Sequence, residues 1–119
     1  MAEEQKVQAA IRASCGAEPG IVLYRNQVGN AVYAINGRTW RVPYGLCQGS
    51  SDLIGWKSLV VTPDMVGTTL AQFVAIEVKG AKGRVKPEQK LFLALVERSG
   101  GLSGVARSEE DARKIIGLL

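Results

Sequence analysis

The apolar run Phe73-Val-Ala-Ile-Glu-Val-Lys79 is the clearest buried strand that the sequence predicts, and it is the strongest guide to the architecture. Glu77 and Lys79 are the only charged residues in it. Because side chains alternate between the two faces of a strand, Glu77 and Lys79 project to one side and Ile76 and Val78 to the other. A carboxylate and an ammonium group are costly to bury at a strand end unless they are paired or bind a metal ion.

Helical patterns follow this strand. Pro87 suits the first turn of a helix that runs to about Arg98, and Gly100-Gly101 end it. Leu102 to Ala106 is predicted as the last strand, and Ser108 as the cap of a final helix.

The residues before the strand predict a helix and several short strands. Apolar residues recur at helical spacing from Glu3 to about Ser14. Asn36-Gly37 separates two β-prone runs and is a strong hairpin signal, since both turn positions need a positive φ. Further strand pieces are predicted at Ile21 to Arg25, Leu53-Ile54 and Ser58 to Val61. The order predicts a single mixed α/β domain over residues 1–119.

The composition removes several kinds of enzyme chemistry. The chain has 119 residues and no histidine. It therefore holds no Ser-His-Asp or Cys-His nucleophile, no histidine-ligated zinc and no imidazole base. Catalysis would have to use carboxylates, lysine, hydroxyls, thiols or a hard metal ion.

The cysteines and the chain start indicate the compartment. Cys15 and Cys47 are isolated, so we expect partly buried, inert thiols in a reducing, intracellular setting. The charged start lacks the apolar region of a secretory signal. No apolar run approaches the ~20 residues of a membrane helix.

The positive charge is unevenly distributed. Fifteen Lys+Arg against eleven Asp+Glu give a formal charge of +4. One basic stretch contains Lys79, Lys82, Arg84, Lys86 and Lys90, and a second group contains Arg25, Arg38 and Arg41. These charges are typical either of a phosphate-binding surface or of an ordinary solvated face.

A carboxylate upstream of Glu77 would complete a two-carboxylate site for Mg²⁺, which prefers a few carboxylates plus water and phosphate oxygens. Two aspartates compete for this role. Asp64 follows a proline in a predicted turn, where aspartate is a routine turn former. Asp52 follows a glycine-containing loop at the start of an apolar run, where a strand can aim its side chain. This argument favours Asp52 modestly.

An ordered set of motifs resembles the VRR-NUC family, the virus-type replication-repair nucleases of the PD-(D/E)xK superfamily. The motifs are Tyr24-Arg25-Asn26…Gly29, Gly37-Arg38, Gly49-Ser-Ser-Asp-Leu-Ile-Gly-Trp56, Phe73–Gly80, Gly83-Arg84, Gln89 and Gly100-Gly101. The resemblance covers most of the chain. It implies a restriction-endonuclease-like fold with a mixed central sheet flanked by helices, in an αβββαβ core.

The resemblance also implies a site. Mg²⁺ or Mn²⁺ would be bound by Asp52, Glu77 and the carbonyl of Val78. Lys79 would be the catalytic lysine, Gln89 a further site residue, and Glu4 of the first helix, or else Glu3, an additional carboxylate. Many relatives have serine before the proline of the second helix, where this chain has Lys86.

The implied function is metal-dependent, structure-selective cleavage of DNA, and in particular resolution of four-way junctions by a homodimer. A junction has approximate two-fold symmetry, which matches paired active sites. Such stand-alone relatives are of viral or phage type, which would place the enzyme in the host cytoplasm. The DNA-binding residues would be Lys82, Arg84, Lys86, Lys90, Arg25 and Arg38. Two alternatives remain, a catalytically silent nucleic-acid-binding module with the same fold and a small interaction protein.

Overall fold

The computed structural model describes residues 3–118 and is a mixed α/β structure, which confirms the predicted fold class. Two compact units divide the chain, one ending at Lys57 and the other beginning at Ser58. The helices are α1 (Glu3–Cys15), α2 (Pro87–Arg98) and α3 (Glu109–Ile116), and a short 3-10 helix covers Pro63–Met65. The strands are β1 (Ile21–Arg25), β2 (Gly29–Ile35), β3 (Arg38–Tyr44), β4 (Leu53–Lys57), β5 (Val74–Val78) and β6 (Leu102–Ala106).

The first unit holds α1 and two antiparallel strand pairs. β1 pairs with β4, so that Tyr24 stands opposite Ile54 and Arg25 opposite Leu53. α1 contacts β1. β2 and β3 form the predicted hairpin, in which Asn36 has φ 51° and Gly37 has φ 76°. Both turn residues thus adopt the left-handed conformation that the Asn-Gly pair tolerates.

The second unit is built on the parallel pair β5–β6, with α2 as the connection between the two strands. α2 contacts both strands, and α3 contacts β6. The core lies here, because Val96 of α2 is 1% exposed and Ala106 of β6 is also buried. Parallel strands need a crossover of this kind, and the helix covers one face of their sheet.

Local signals set the ends of the last two helices. Pro87 occupies the first turn of α2, and Gln89 Oε1 accepts a 2.9 Å hydrogen bond from the Lys86 backbone N–H. Lysine has no acceptor, so only this half of a capping box forms. Ser108 Oγ caps α3 by accepting from the Asp111 N–H, as the sequence predicts.

Some expectations need correction. The hydrogen-bonded strands form three separate two-stranded sheets, so the αβββαβ arrangement around one mixed sheet stays a prediction. The predicted strand at Ser58 to Val61 is wrong, since β4 continues to Lys57 and the following residues have no strand partner in the part of the chain described. β5 is less buried than expected, with Val78 75% exposed. Cys15 and Cys47 are free and exposed rather than partly buried.

Within residues 3–118 there is no helix with the length and apolar character that crossing a membrane requires.

Candidate active site

The carboxyl end of β5 carries a partly buried ion pair. Lys79 Nζ lies 3.4 Å from Glu77 Oε1, with the lysine side chain 17% exposed and the glutamate side chain 28% exposed. Strand alternation puts both groups on one face, as the sequence predicts. The Lys79 N–H donates to the Ala106 carbonyl, at 3.0 Å, so pairing with β6 continues to the backbone of the lysine.

The chain after Lys79 turns back against the lysine stem. The Gly83 N–H donates to the Gly80 carbonyl, and Gly83 lies close to the Lys79 side chain. Arg107, which directly follows β6, donates from Nη1 to the same Gly80 carbonyl at 2.6 Å. Because parallel strands end at the same edge of their sheet, this guanidinium and the Glu77–Lys79 pair share one edge of the second unit.

Gln89 lies in the first turn of α2, and its side-chain oxygen is engaged by the Lys86 N–H. The side chain is only partly exposed. Its carboxamide has two N–H donors besides this acceptor, which are the groups that a substrate oxygen would need.

Asp52 directly precedes β4, as expected, and its side chain is exposed. Its carbonyl accepts a 2.8 Å hydrogen bond from the backbone N–H of Asn26, the residue after β1. The Asn26 side chain also contacts the loop before Asp52, donating to Ser50 Oγ at 2.7 Å and to the Ser51 carbonyl at 2.9 Å. These hydrogen bonds connect the end of β1 to the start of β4 next to Asp52.

Asp52 also lines a cavity of about 620 Å³ in the first unit. The cavity has apolar walls from α1 and β4, and its acidic lining residues are Glu3, Glu4 and Asp52. The structure therefore brings both candidate helix carboxylates to the cavity that Asp52 lines. Glu3 and Glu4 also occupy the first turn of α1, where acidic residues stabilise the helix dipole.

Asp64 lies in the 3-10 helix, where its Oδ1 accepts a hydrogen bond from Thr62 Oγ1. This bond within one turn is the turn-forming role expected of an aspartate after proline.

The six cations expected to contact DNA are exposed, namely Lys82, Arg84, Lys86, Lys90, Arg25 and Arg38. The first four lie in the second unit, along the loop after Lys79 and the start of α2. In the first unit Arg25 stands opposite Leu53, one residue from Asp52, while Arg38 follows the hairpin turn.

Each unit thus holds part of the expected site. The second unit places Glu77 beside Lys79, and the first places Asp52 and Glu4 at one cavity. Among residues 3–118, no group of three or more Asp, Glu, His or Cys side chains is arranged to hold a metal ion. The Glu77 and Asp52 carboxylates and the Val78 carbonyl are hard oxygen donors, the class that Mg²⁺ and Mn²⁺ prefer.

Sequence reasoning missed two residues. Asn26 was part of the family motif but was assigned no role, and its burial and contacts are visible only in the structure. Arg107 was not singled out. The signal that could have identified Arg107 is its place directly after β6. A residue that follows a strand parallel to β5 lies near the residues that follow β5.

One comparison with known proteins gives a match. A sequence model of the VRR-NUC domain matches residues 3–110 and so runs through both units. No curated protein and no solved structure shows a significant match. The family's nucleases are in general dependent on divalent metals, and a nuclease domain implies DNA as substrate. Since the matched residues span most of the 119 residues, the chain belongs to the VRR-NUC family of nucleases.

Proposed function

We propose that the protein is a Mg²⁺- or Mn²⁺-dependent endodeoxyribonuclease that cuts four-way DNA junctions as a homodimer, and that residues 1–119 form one nuclease domain. The observation that carries the proposal is the Glu77–Lys79 pair, 3.4 Å apart at the carboxyl end of β5. The family match supports the nuclease chemistry. The junction, the dimer and the identity of the metal are inferences from the family resemblance.

The proposed metal ligands are Asp52, Glu77 and the Val78 carbonyl. Glu77 and Val78 are adjacent on β5, and Asp52 enters the set through the family resemblance. The donors fit Mg²⁺, which takes one or two protein carboxylates and keeps several waters. A bound divalent ion would polarise the scissile phosphate and lower the pKa of a water molecule. Glu4 would assist from the cavity that Asp52 lines.

Lys79 would act on the phosphate itself. Hydrolysis places extra negative charge on the phosphate oxygens as water attacks phosphorus, and an ammonium group held in place stabilises that charge. The Glu77 carboxylate restrains the lysine, so that little reorganisation is needed during the reaction. Gln89 would donate its free amide N–H groups to the substrate while its oxygen caps α2.

Exposed cations would hold the DNA. Lys82, Arg84, Lys86 and Lys90 lie on the segment that follows Lys79, and their side chains are available to phosphates. Arg25 and Arg38 would add contacts from the first unit. Contacts to phosphates fix the position of the duplex without reading its sequence. An enzyme that selects DNA by its shape needs contacts of this kind.

A homodimer would supply the second active site for paired cuts, since a two-fold axis in the protein would match that of the junction. We also propose action inside the cell, in the host cytoplasm if a virus or phage encodes the protein. The small number and isolation of the cysteines, Cys15 and Cys47, support a reducing compartment.

A cleavage assay tests the proposal. The full chain is incubated with a four-way junction and a linear duplex of the same arms, in Mg²⁺, Mn²⁺ or EDTA. We expect cleavage that requires metal, prefers the junction and is lost in Asp52→Asn. Asp64→Asn is the matched control, because the same exposed carboxylate is neutralised at a residue bonded within a turn.

Three results would contradict parts of the proposal. Binding of the junction with no cleavage in either metal would instead indicate the silent binding module. Loss of cleavage in Asp64→Asn but not in Asp52→Asn would move the metal ligand to Asp64. Sedimentation of the DNA-free protein as a monomer that stays monomeric on the junction would reject the dimer.

A further inference from the structure

Asn26 is the buried polar residue of the described chain, with 7% of its surface exposed. Burying a carboxamide is costly unless its polar groups are bonded. Here they are, because Nδ2 donates to Ser50 Oγ and to the Ser51 carbonyl, and Oδ1 accepts from the Leu46 N–H at 2.9 Å. Every one of these partners belongs to the loop that ends at Asp52.

That loop contains one turn of its own, in which the Ser50 N–H donates to the Cys47 carbonyl at 3.0 Å. Leu46, Cys47 and Ser51 are exposed, so packing contributes little to the loop conformation. Ser50 extends the network of Asn26, since its hydroxyl donates to the Cys47 carbonyl at 2.6 Å while accepting from Asn26. The Asn26 side chain therefore ties this loop, at Leu46 and at Ser50-Ser51, to the end of β1.

The network ends at the proposed metal ligand. The Asn26 backbone N–H holds the Asp52 carbonyl, and its side chain holds the two residues before Asp52. We propose that Asn26 is a positioning residue that sets the direction of the Asp52 carboxylate for metal binding. This inference rests on the proposed function, in which Asp52 is a metal ligand.

Only a carboxamide satisfies this arrangement. An aspartate at position 26 would keep the acceptor for the Leu46 N–H but would lose both donors. A carboxylate oxygen would then face the Ser51 carbonyl oxygen, and the repulsion would displace the backbone next to Asp52. Asn26→Asp therefore preserves the size of the side chain and removes the restraint.

The test measures Mn²⁺ binding to the full chain by calorimetry. We expect Asn26→Asp to weaken Mn²⁺ binding by about 10- to 100-fold, the usual effect of removing a group that orients a metal ligand. Asn30→Asp is the matched control, since it adds the same charge at an exposed asparagine of β2 and should leave Mn²⁺ affinity unchanged. Cleavage by Asn26→Asp should recover at saturating Mn²⁺, which a general loss of structure would not allow.

Ser50→Ala covers the case in which Asn26→Asp does not fold. It removes one partner of Asn26, and we expect Mn²⁺ binding about fivefold weaker, the effect of one hydrogen bond. If Asn26→Asp folds, its unchanged Mn²⁺ affinity would overturn the inference; if it does not fold, unchanged Mn²⁺ affinity in Ser50→Ala would overturn it.

Asp52→Asn separates this inference from the proposed function. If Asp52→Asn loses Mn²⁺ while folded Asn26→Asp binds it like the unmodified protein, only the positioning role fails. If Asp52→Asn binds Mn²⁺ normally, the assignment of Asp52 fails and the positioning role fails with it.

Discussion

Lys79 Nζ lies 3.4 Å from Glu77 Oε1, and both side chains are less than one-third exposed. A second ion pair, between Lys114 and Glu110 of α3, has a similar length of 3.6 Å, but its side chains are 63% and 70% exposed. An exposed pair of this kind contributes little to stability. The exposed Lys114–Glu110 pair is therefore a control for the Lys79–Glu77 pair. An effect on catalysis that appears only when Lys79 is removed does not come from the loss of an ion pair as such.

Removing the lysine of the partly buried pair should slow catalysis strongly and spare the fold. We expect Lys79→Ala to lower kcat for junction cleavage by about 100- to 1000-fold, as when one group that stabilises transition-state charge is lost. Single-turnover cleavage at saturating metal measures the effect. Lys114→Ala is the control and should cleave like the unmodified protein; an equal loss in both variants would contradict the assignment.

Gln89 should show two separable roles. Gln89→Ala removes the acceptor for the Lys86 N–H and should lower the free energy of unfolding by about 1 kcal/mol, a typical value for a lost cap. Gln89→Glu keeps the acceptor but loses the amide donors, so stability should hold while cleavage falls about tenfold. Denaturant unfolding and cleavage rates distinguish them. Full activity in Gln89→Glu would leave Gln89 as a helix cap only.

The basic segment should determine how DNA binding depends on salt. Lys82→Gln with Lys86→Gln should weaken binding to all DNA sequences and reduce the slope of log K against log salt by about one per lysine. Fluorescence anisotropy in EDTA over a range of salt concentrations measures this. Lys6→Gln with Lys114→Gln removes the same charge elsewhere, and an equal change in slope there would mean that only net charge matters.

Substitution by alanine should lower the free energy of unfolding strongly at one glycine and leave it nearly unchanged at another. A Cβ on Gly55 would lie 1.8 Å from the Val22 carbonyl oxygen, whereas one on Gly80 would meet nothing within 4 Å. We expect Gly55→Ala to cost at least about 3 kcal/mol of unfolding free energy, at the severe end of overpacking. Gly80→Ala should stay within about 0.5 kcal/mol. Thermal unfolding compares them, and a stable Gly55→Ala variant would contradict the close β1–β4 contact.

The sequence predicted those parts of the structure that depend on residues close together along the chain. The Asn36-Gly37 turn, the Ser108 cap and the shared face of Glu77 and Lys79 each follow from residues at most four apart. Their conformations depend on backbone sterics and on strand alternation, which the sequence carries directly.

Contacts between distant residues could not be predicted in this way. The Asn26 side chain bonds to residues 20 to 25 positions away, and Arg107 bonds to Gly80 across 27 positions. The strand predicted at Ser58 to Val61 was wrong for a related reason, since β-branched residues predict a strand only where a partner strand is available.

The parallel register of β5 and β6 has a consequence for how this protein can vary. Val78 stands opposite Ala106, and the face of every β5 side chain is fixed by that pairing. Inserting one residue between Glu77 and Lys79 would place the two side chains on opposite faces, and an insertion earlier in β5 would exchange the faces of the residues on one side of it. The irregular segment between the 3-10 helix and β5 carries no such restriction. Changes in chain length among natural variants should therefore accumulate before Val74 and be absent between Val74 and Lys79.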